Sequence, residues 1–203
     1  MGGFQLGRPI RVLTAVILAV AGIAAARYVA GVRKPAPRTP VVVAFGDSLT
    51  EGGGAIARPW PAVFAERLAR RVGASPIQVV NAGVSGNRLL RDDFGPSGLR
   101  RFERDALGEP GVRWVVVLEG INDLGFAGSG YFAPDKERVR QAVNAWIRSS
   151  GEWDGVVDFE AAVRDPGQPG RLRPELDDGD HLHLNQAGQT ALGEAVDLGL
   201  FGG

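Results

Sequence analysis

The sequence predicts a single α/β domain, built as a three-layer α/β/α sandwich around a mostly parallel sheet. Short continuous apolar runs alternate along the chain with longer segments whose apolar residues recur at helical spacing. That alternation is typical of parallel strands joined by helices that cover both faces of a sheet. The 203 residues suffice for one domain with a full core, and the hydrophobic fraction of 44% is that of a globular protein.

Four apolar runs are predicted as strands that are buried on both faces. The first extends from Val41 to Phe45 and ends at Gly46, and the others cover residues 77–80, 114–118 and 155–159. Ligands of open parallel sheets bind at the carboxyl ends of the strands. The residues that follow each strand are therefore the first candidates for chemistry.

Helices are predicted between and after these strands. Pro59 and Pro61 open the first, Ser97 is expected to cap the second, and Asn185 is expected to cap the last. The apolar faces of the four predicted helices carry, in order, Trp60, Val63, Phe64, Leu68 and Val72; Leu99, Phe102 and Ala106; Val139, Ala142, Val143, Trp146 and Ile147; and Ala191, Leu192, Ala195 and Val196.

The N-terminal segment predicts an exported protein, either secreted or held in the membrane and facing outside. Arg8 and Arg11 precede an apolar run of 15 residues, 12–26, in which Ala24 and Ala26 resemble a signal-peptidase site. Residues 9–30 could instead cross the membrane as an uncleaved anchor. We therefore expect a signal peptide or anchor over residues 1–30, a proline-containing linker over 31–40 and the folded domain over 41–203.

Composition excludes several classes of function. The 23 basic and 23 acidic residues cancel, so no nucleic-acid-binding surface is expected. Without cysteine the chain forms no disulfide, thiolate nucleophile or cysteine zinc site. We expect a monomer.

The histidines are confined to one short segment. His181 and His183 are the two in the chain, and Asp180 lies three residues before His183. Within a turn, that spacing brings a carboxylate to the edge of an imidazole, which is how a general base is oriented. Ser48 directly follows the first strand. Each feature alone also fits an ordinary role: a helix cap for Ser48 and a polar loop for the Asp-His segment.

Two further residues at strand ends have the chemistry of oxyanion donors. Gly83 follows the second strand, and its N–H can approach a ligand closely because there is no side chain. Asn122 follows the third strand and has a side-chain amide. Taken singly, both are ordinary turn or loop residues.

Together, four ordered blocks resemble the GDSL/SGNH hydrolase family, in particular its bacterial exported esterase- and lipase-like members. The blocks are residues 46–52, 81–87, 120–123 and 180–183, and the resemblance extends from Val41 to about Val196. It implies a flavodoxin-like fold, Ser48 as nucleophile, and Asp180 and His183 as the rest of a catalytic triad. It also implies an oxyanion hole made by the Ser48 and Gly83 N–H groups and the Asn122 side chain.

The resemblance implies a carboxylic ester hydrolase that needs neither cofactor nor metal. We expect a serine esterase that acts on small-molecule or polysaccharide esters, removing short acyl or O-acetyl groups. A lipase or lysophospholipase-type acyl hydrolase is the alternative substrate class. Trp60, Tyr131 and Phe132 are either a sugar-binding platform or packing residues.

One departure from the family leaves the alignment of the triad open. About a dozen residues separate Asn122 from Asp135, where family members usually have a further helix and strand. The sheet is therefore expected to have four strands instead of five. An inward move of the last strand by one spacing, about 4.8 Å, would displace the loop that carries His183. A catalytically impaired homologue acting as a carbohydrate-binding module is the corresponding alternative.

The same loop also permits a metal-site hypothesis. Its acidic residues and two histidines supply ligands that first-row metals accept. They are Asp177, Asp178, Asp180, His181 and His183. This hypothesis leaves Ser48 and Asn122 without a role.

Overall fold

The computed structural model describes residues 11–15, 39–53, 56–71, 75–124 and 132–202, with the backbone alone for 11–15. A parallel sheet forms its centre. The strands are β1 Arg11–Ala15, β2 Val41–Gly46, β3 Gln78–Gly83, β4 Val112–Leu118 and β5 Gly155–Val157. They lie in the order β3-β2-β4-β1-β5.

Helices connect the strands and follow the last one. They are α1 Ser48–Glu51, α2 Trp60–Ala69, α3 Gly98–Phe102, α4 Ile121–Leu124, α5 Pro134–Ser149, α6 Phe159–Val163 and α7 Gln186–Ala195. The α3 helix continues directly into a π-helical turn, Glu103–Leu107, and short 3-10 turns cover Pro174–Leu176 and Leu198–Phe201.

The sheet is covered on both faces, which confirms the predicted three-layer α/β/α sandwich. Alternate residues of a strand point to opposite faces. On one face, Val42 and Ala44 pack in a cluster with residues of α2, α6 and α7. On the other, Val43 and Phe45 pack with Ala106 and Phe102. All six residues of β2 are buried, as expected of a strand in the centre of such a sandwich.

The expected number of four strands is wrong, because β1 makes a fifth. The four predicted strands are all present, but β4 and β5 do not pair with each other. Residues of β1 pair in parallel with both of them, so that Leu13 lies opposite Val116 on one side and Gly155 on the other. Without β1, the facing edges of β4 and β5 would have unpaired N–H and C=O groups, and β1 satisfies them.

This fifth strand comes from the segment predicted as a signal peptide or anchor. The rest of residues 1–30, and residues 31–38 of the predicted linker, lie outside the described residues. Within the part of the chain that the structure describes, no helix has the length and apolarity needed to cross a membrane.

The helix faces differ from the sequence prediction at two places. In α3, Leu99 is 49% exposed whereas Arg101 is buried, and the Ser97 side chain makes no capping hydrogen bond. In α5, Val139 and Trp146 are largely exposed, and Arg140 is buried because its guanidinium pairs with carboxylates that neutralise its charge. The predicted cap of α7 is confirmed, since the Asn185 side chain accepts a hydrogen bond from Gly188 N.

Candidate active site

Ser48 lies at the carboxyl end of the central strand β2, where α1 begins. Asp47 is the N-cap of α1, and its Oδ1 accepts a hydrogen bond of 3.0 Å from Leu49 N. As the first residue of the helix, Ser48 has a backbone N–H without an acceptor inside it. Gly46 permits this tight strand-to-helix turn, because a Cβ there would lie 2.1 Å from the backbone oxygen of Leu118.

The structure brings Ser48, His183 and Asp180 together. Ser48 Oγ is 2.9 Å from His183 Nε2, and His183 Nδ1 is 2.6 Å from Asp180 Oδ2. The other carboxylate oxygen of Asp180 accepts the N–H groups of Leu182 at 2.8 Å and of His183 at 2.7 Å. Burial alone would raise the pKa of Asp180, but these hydrogen bonds outweigh it and lower the pKa to about 2. Asp180 is therefore ionised at neutral pH.

The loop that carries His183 is attached to the nucleophile turn by α7. Gln189, on α7, is buried; its Nε2 donates to Leu49 O at 3.1 Å and its Oε1 accepts from Trp60 N at 2.8 Å. The two helices approach closely, because a Cβ at Gly193 would lie 2.5 Å from the Val63 side chain. The position of His183 therefore depends on α1, α2 and α7, and the location of β5 in the sheet does not displace it.

The second histidine has a carboxylate of its own. His181 Nδ1 lies 2.6 Å from Asp177 Oδ2, and the His181 backbone is left-handed with φ 63°. Its side chain is 58% exposed. The His181–Asp177 pair thus resembles the His183–Asp180 pair, but only the ring of His183 contacts Ser48.

The metal-site hypothesis is supported by a smaller set of residues than the sequence suggested. Ligand atoms of Asp178, Asp180 and His183 lie within 4.8 Å of one another. Burial and the neighbouring Asp180 raise the pKa of Asp178. Both ring nitrogens of His183 already have partners, Ser48 and Asp180, so a metal would have to displace one of them.

The two other predicted oxyanion donors have different surroundings. Asn122 Nδ2 donates to Asn87 O at 2.9 Å, which fixes the amide and leaves its second hydrogen available. The Gly83 N–H donates to Asn81 Oδ1 at 2.9 Å, so its single hydrogen is engaged. Gly83 also has a packing role, because a Cβ there would lie 2.2 Å from the backbone nitrogen of Glu51.

A group of buried ionisable side chains below these strand ends was missed by the sequence analysis. Asp47, Arg101 and Glu119 are each 2% exposed or less. Burial, followed by the charge of Asp47, raises the pKa of Glu119 to about 9, and burial raises that of Asp47 to about 7. The available signal was a carboxylate that directly continues the apolar run of β4 and an arginine that interrupts the apolar spacing of α3.

Comparison with known proteins identifies a family model that matches part of the chain. Residues 44–134 match the model of the GDSL-like lipase/acylhydrolase family. The matched region includes Ser48, Gly83 and Asn122, and it ends before Asp180 and His183. A comparison with curated protein sequences finds no match.

Solved structures share the fold. A lipase/acylhydrolase from Enterococcus faecalis superposes with a TM-score of 0.59 and 20% identity, over 77% of this chain and 93% of that one. An acetylxylan esterase from Geobacillus stearothermophilus superposes with a TM-score of 0.55 and 20% identity, over 77% of this chain and 91% of that one. At this identity the likeness concerns the fold.

Proposed function

Since this chain carries a domain of the GDSL-like lipase/acylhydrolase family and is a carboxylic ester hydrolase, we propose that it cleaves short acyl or O-acetyl esters with Ser48 as nucleophile. The observation that carries the proposal is the 2.9 Å distance between Ser48 Oγ and His183 Nε2. The opposite ring nitrogen of His183 meets an ionised carboxylate, which is the orientation a general base requires.

The proposed reaction has two stages. His183 Nε2 takes the hydroxyl proton while Ser48 Oγ bonds to the ester carbonyl carbon, and Asp180 holds the ring with its proton on Nδ1. Collapse of the tetrahedral intermediate breaks the bond to the alcohol oxygen, which receives the proton from His183. A water molecule, deprotonated by His183, then releases the acid from the acyl-serine in the same way.

The oxyanion is proposed to lie against the Ser48 N–H and the second amide hydrogen of Asn122. The Gly83 N–H joins them when its hydrogen is shared between the substrate and Asn81 Oδ1. The loss of one such donor typically raises the barrier by about 3 kcal/mol, so two or three donors account for much of the expected rate enhancement.

For the substrate we propose acetylated polysaccharide first and lipid-like esters second. One structurally similar protein is an acetylxylan esterase and another a lipase/acylhydrolase, which supports both classes. An aromatic sugar platform at Trp60 is excluded because this side chain is fully buried; Phe132 is 40% exposed, and Tyr131 lies outside the described residues. Leu90 and Phe94, 67% and 66% exposed, favour the lipid-like alternative.

The decisive experiment is hydrolysis of p-nitrophenyl acetate by the full chain and by Ser48→Ala. We expect turnover by the wild type, also in the presence of a chelator, and its loss in the variant. Ser149→Ala, at an exposed helix hydroxyl, is the matched control and should retain full activity. A folded wild type without turnover would support the carbohydrate-binding homologue, and chelator-sensitive activity that survives Ser48→Ala would support the metal site.

Acyl length separates the two substrate classes. With p-nitrophenyl esters from acetate to decanoate, a polysaccharide deacetylase should have its highest kcat/KM at acetate. A kcat/KM that rises with chain length would favour the lipase-type alternative.

We further propose that the protein is a monomer and is exported through residues 1–30. Export by a cleaved leader or by an anchor requires Arg11–Ala15 to leave the sheet, because the same residues cannot also pair with β4 and β5. The intact mass of the protein recovered from cells and from culture medium tests the proposed export. A secreted form that lacks the first 26 or more residues supports cleavage, whereas full-length protein in the soluble cell fraction contradicts export.

A further inference from the structure

The guanidinium of Arg101 lies below the ends of β2 and β3, inside the protein. Its side chain is 2% exposed, and its central carbon lies 3.9 Å from the centre of the Phe45 ring. Three of its hydrogen bonds reach Gly46 O at 2.7 Å, Ala82 O at 2.8 Å and Asn87 Oδ1 at 2.7 Å, and a fourth reaches Glu119 Oε2 at 3.3 Å. The guanidinium thus joins segments that are far apart in the sequence.

Each of the first three acceptors belongs to a residue that lies within two positions of a proposed oxyanion donor in the sequence or is hydrogen-bonded to one. Ala82 immediately precedes Gly83 in the sequence, and Gly46 precedes Ser48 by two residues. The backbone oxygen of Asn87 accepts the Asn122 amide at 2.9 Å. A single planar group therefore contacts a residue close to each of the three donors.

We propose that Arg101 is a positioning residue that sets the Ser48 N–H, the Gly83 N–H and the Asn122 amide relative to one another. This inference rests on the proposed ester hydrolysis. An oxyanion hole is effective when its donors are held in place before the reaction, so that no reorganisation is needed as charge develops. Arg101 does not touch the substrate; it acts through the groups that do.

The chemistry of arginine fits this position and that of lysine does not. The guanidinium has five N–H donors in a fixed plane, which can reach acceptors in three directions. A lysine ammonium has its three hydrogens on a single atom at the end of a flexible chain. It could satisfy one or two of these acceptors, but not all three at their present separation.

Two carboxyl groups lie next to the buried guanidinium of Arg101. Glu119 Oε2 lies 3.3 Å and Asp105 Oδ2 3.6 Å from its nitrogens. Burial lowers the pKa of Arg101, and both carboxyl groups oppose that effect.

The test is Arg101→Lys, measured with p-nitrophenyl acetate in the full chain. We expect kcat to fall by about 10- to 100-fold, the range for partial loss of oxyanion stabilisation, with KM changed by less than about twofold. Arg100→Lys is the matched control: it is the adjacent residue, 66% exposed and paired with Asp92, and it should retain wild-type kcat.

A double-mutant cycle with Asn122→Ala separates positioning from general structural damage. If Arg101 acts through the oxyanion donors, the kcat loss caused by Arg101→Lys is smaller in the Asn122→Ala background than in the wild type. If the kcat loss of the double variant equals the product of the two single losses, the proposal is overturned. A folded Arg101→Lys variant with wild-type kcat would also overturn it.

A second variant keeps the proposal testable if Arg101→Lys does not fold. If Arg101→Lys is recovered only as aggregate, Asn87→Ser takes its place. This variant removes the side-chain acceptor of Arg101 Nε but keeps the backbone carbonyl that holds Asn122. We expect its kcat loss, too, to be smaller in the Asn122→Ala background than in the wild type. A wild-type chain without turnover contradicts the ester hydrolase proposal itself. A wild type that turns over, together with unchanged variants, contradicts the role of Arg101 alone.

Discussion

Gln189 Nε2 donates a 3.1 Å hydrogen bond to the backbone oxygen of Leu49, the residue next to Ser48. Through the N-cap Asn185, the helix that contains Gln189 begins directly after the loop of His183. The proposed base and the proposed nucleophile are therefore attached to one another by packing between helices, on one face of the sheet. This explains how Ser48 and His183, 135 positions apart in the sequence, meet.

Gln189→Met should lower both activity and stability. It leaves the buried Leu49 O and Trp60 N without a partner, which typically costs about 1–3 kcal/mol for each group. We expect a lower melting temperature and a kcat reduced by about tenfold, since the distance between His183 and Ser48 is no longer fixed. Circular dichroism melts and p-nitrophenyl acetate kinetics measure the two effects.

Gln186→Met is the matched control for that variant. Gln186 makes the same pair of bonds, to the backbone N and O of Arg58, but it is exposed and has no bond to α1. Its kcat should stay within twofold of the wild type. Equal kcat losses in the two variants would contradict a specific link between α7 and Ser48.

The two histidines should differ sharply in their importance. His183→Asn removes the proposed base, and we expect kcat to fall by about 10³-fold or more. His181→Asn should retain most activity, because asparagine tolerates the left-handed backbone at this position. Steady-state kinetics of both purified variants measures this, and the reverse order of effects would show that His183 is not the base.

Asp180→Asn tests the orientation of the ring. An amide can present its N–H to Nδ1 and so favour the tautomer with its proton on Nε2, which cannot accept the serine proton. For this reason we expect a kcat loss of about 10³- to 10⁴-fold with an unchanged far-ultraviolet spectrum. A variant with more than a tenth of wild-type kcat would contradict the role of Asp180.

Stability should fall as the pH rises through neutrality. Asp47 and Glu119 have pKa values raised to about 7 and about 9 from ordinary values of 3.8 and 4.5. The folded chain therefore holds protons that the unfolded chain releases, so their contribution is complete below about pH 4 and is lost as the pH rises through 7 and 9. Each such proton changes the free energy of unfolding by at most about 1.4 kcal/mol per pH unit.

Melting temperatures between pH 5.5 and 9.5 measure this dependence. Glu119→Gln mimics the protonated carboxyl group and should flatten the curve, whereas Glu103→Gln, at an exposed position, should leave it unchanged. A wild-type melting temperature that rises over this range would contradict the raised pKa values.

Deletion of residues 1–38 should destabilise the domain, because it removes β1 from between β4 and β5. The lost backbone pairing on both sides contributes about 1 kcal/mol for each net hydrogen bond, so we expect a melting temperature lower by roughly 10 °C or more. Deletion of residues 1–9 leaves β1 in place and serves as the control. Equal melting temperatures for the two deletions would show that the domain does not depend on β1.

The sequence by itself determined the alternation of strands and helices and the choice of candidate reactive residues. Both depend on local patterns. An apolar run such as Val41 to Phe45 shows how many faces of a strand are buried, and Ser48, Asn122 and His183 are recognisable by residue type and by their order after the strands. Asn185 was identified as a cap for the same reason, since a cap bonds to its own helix.

The tertiary structure alone decided where the long-range partners lie. No periodicity in the sequence indicates that Arg101 faces inward and Leu99 outward, because that orientation depends on carbonyl groups and carboxylates of other strands. The Gly83 N–H is engaged by Asn81, and an N-terminal segment resembling a leader occupies the gap in the sheet. Buried polar groups need hydrogen-bond partners, and the tertiary fold determines which groups are close enough to serve. The distance from Ser48 to His183 was likewise decided by the packing of α7.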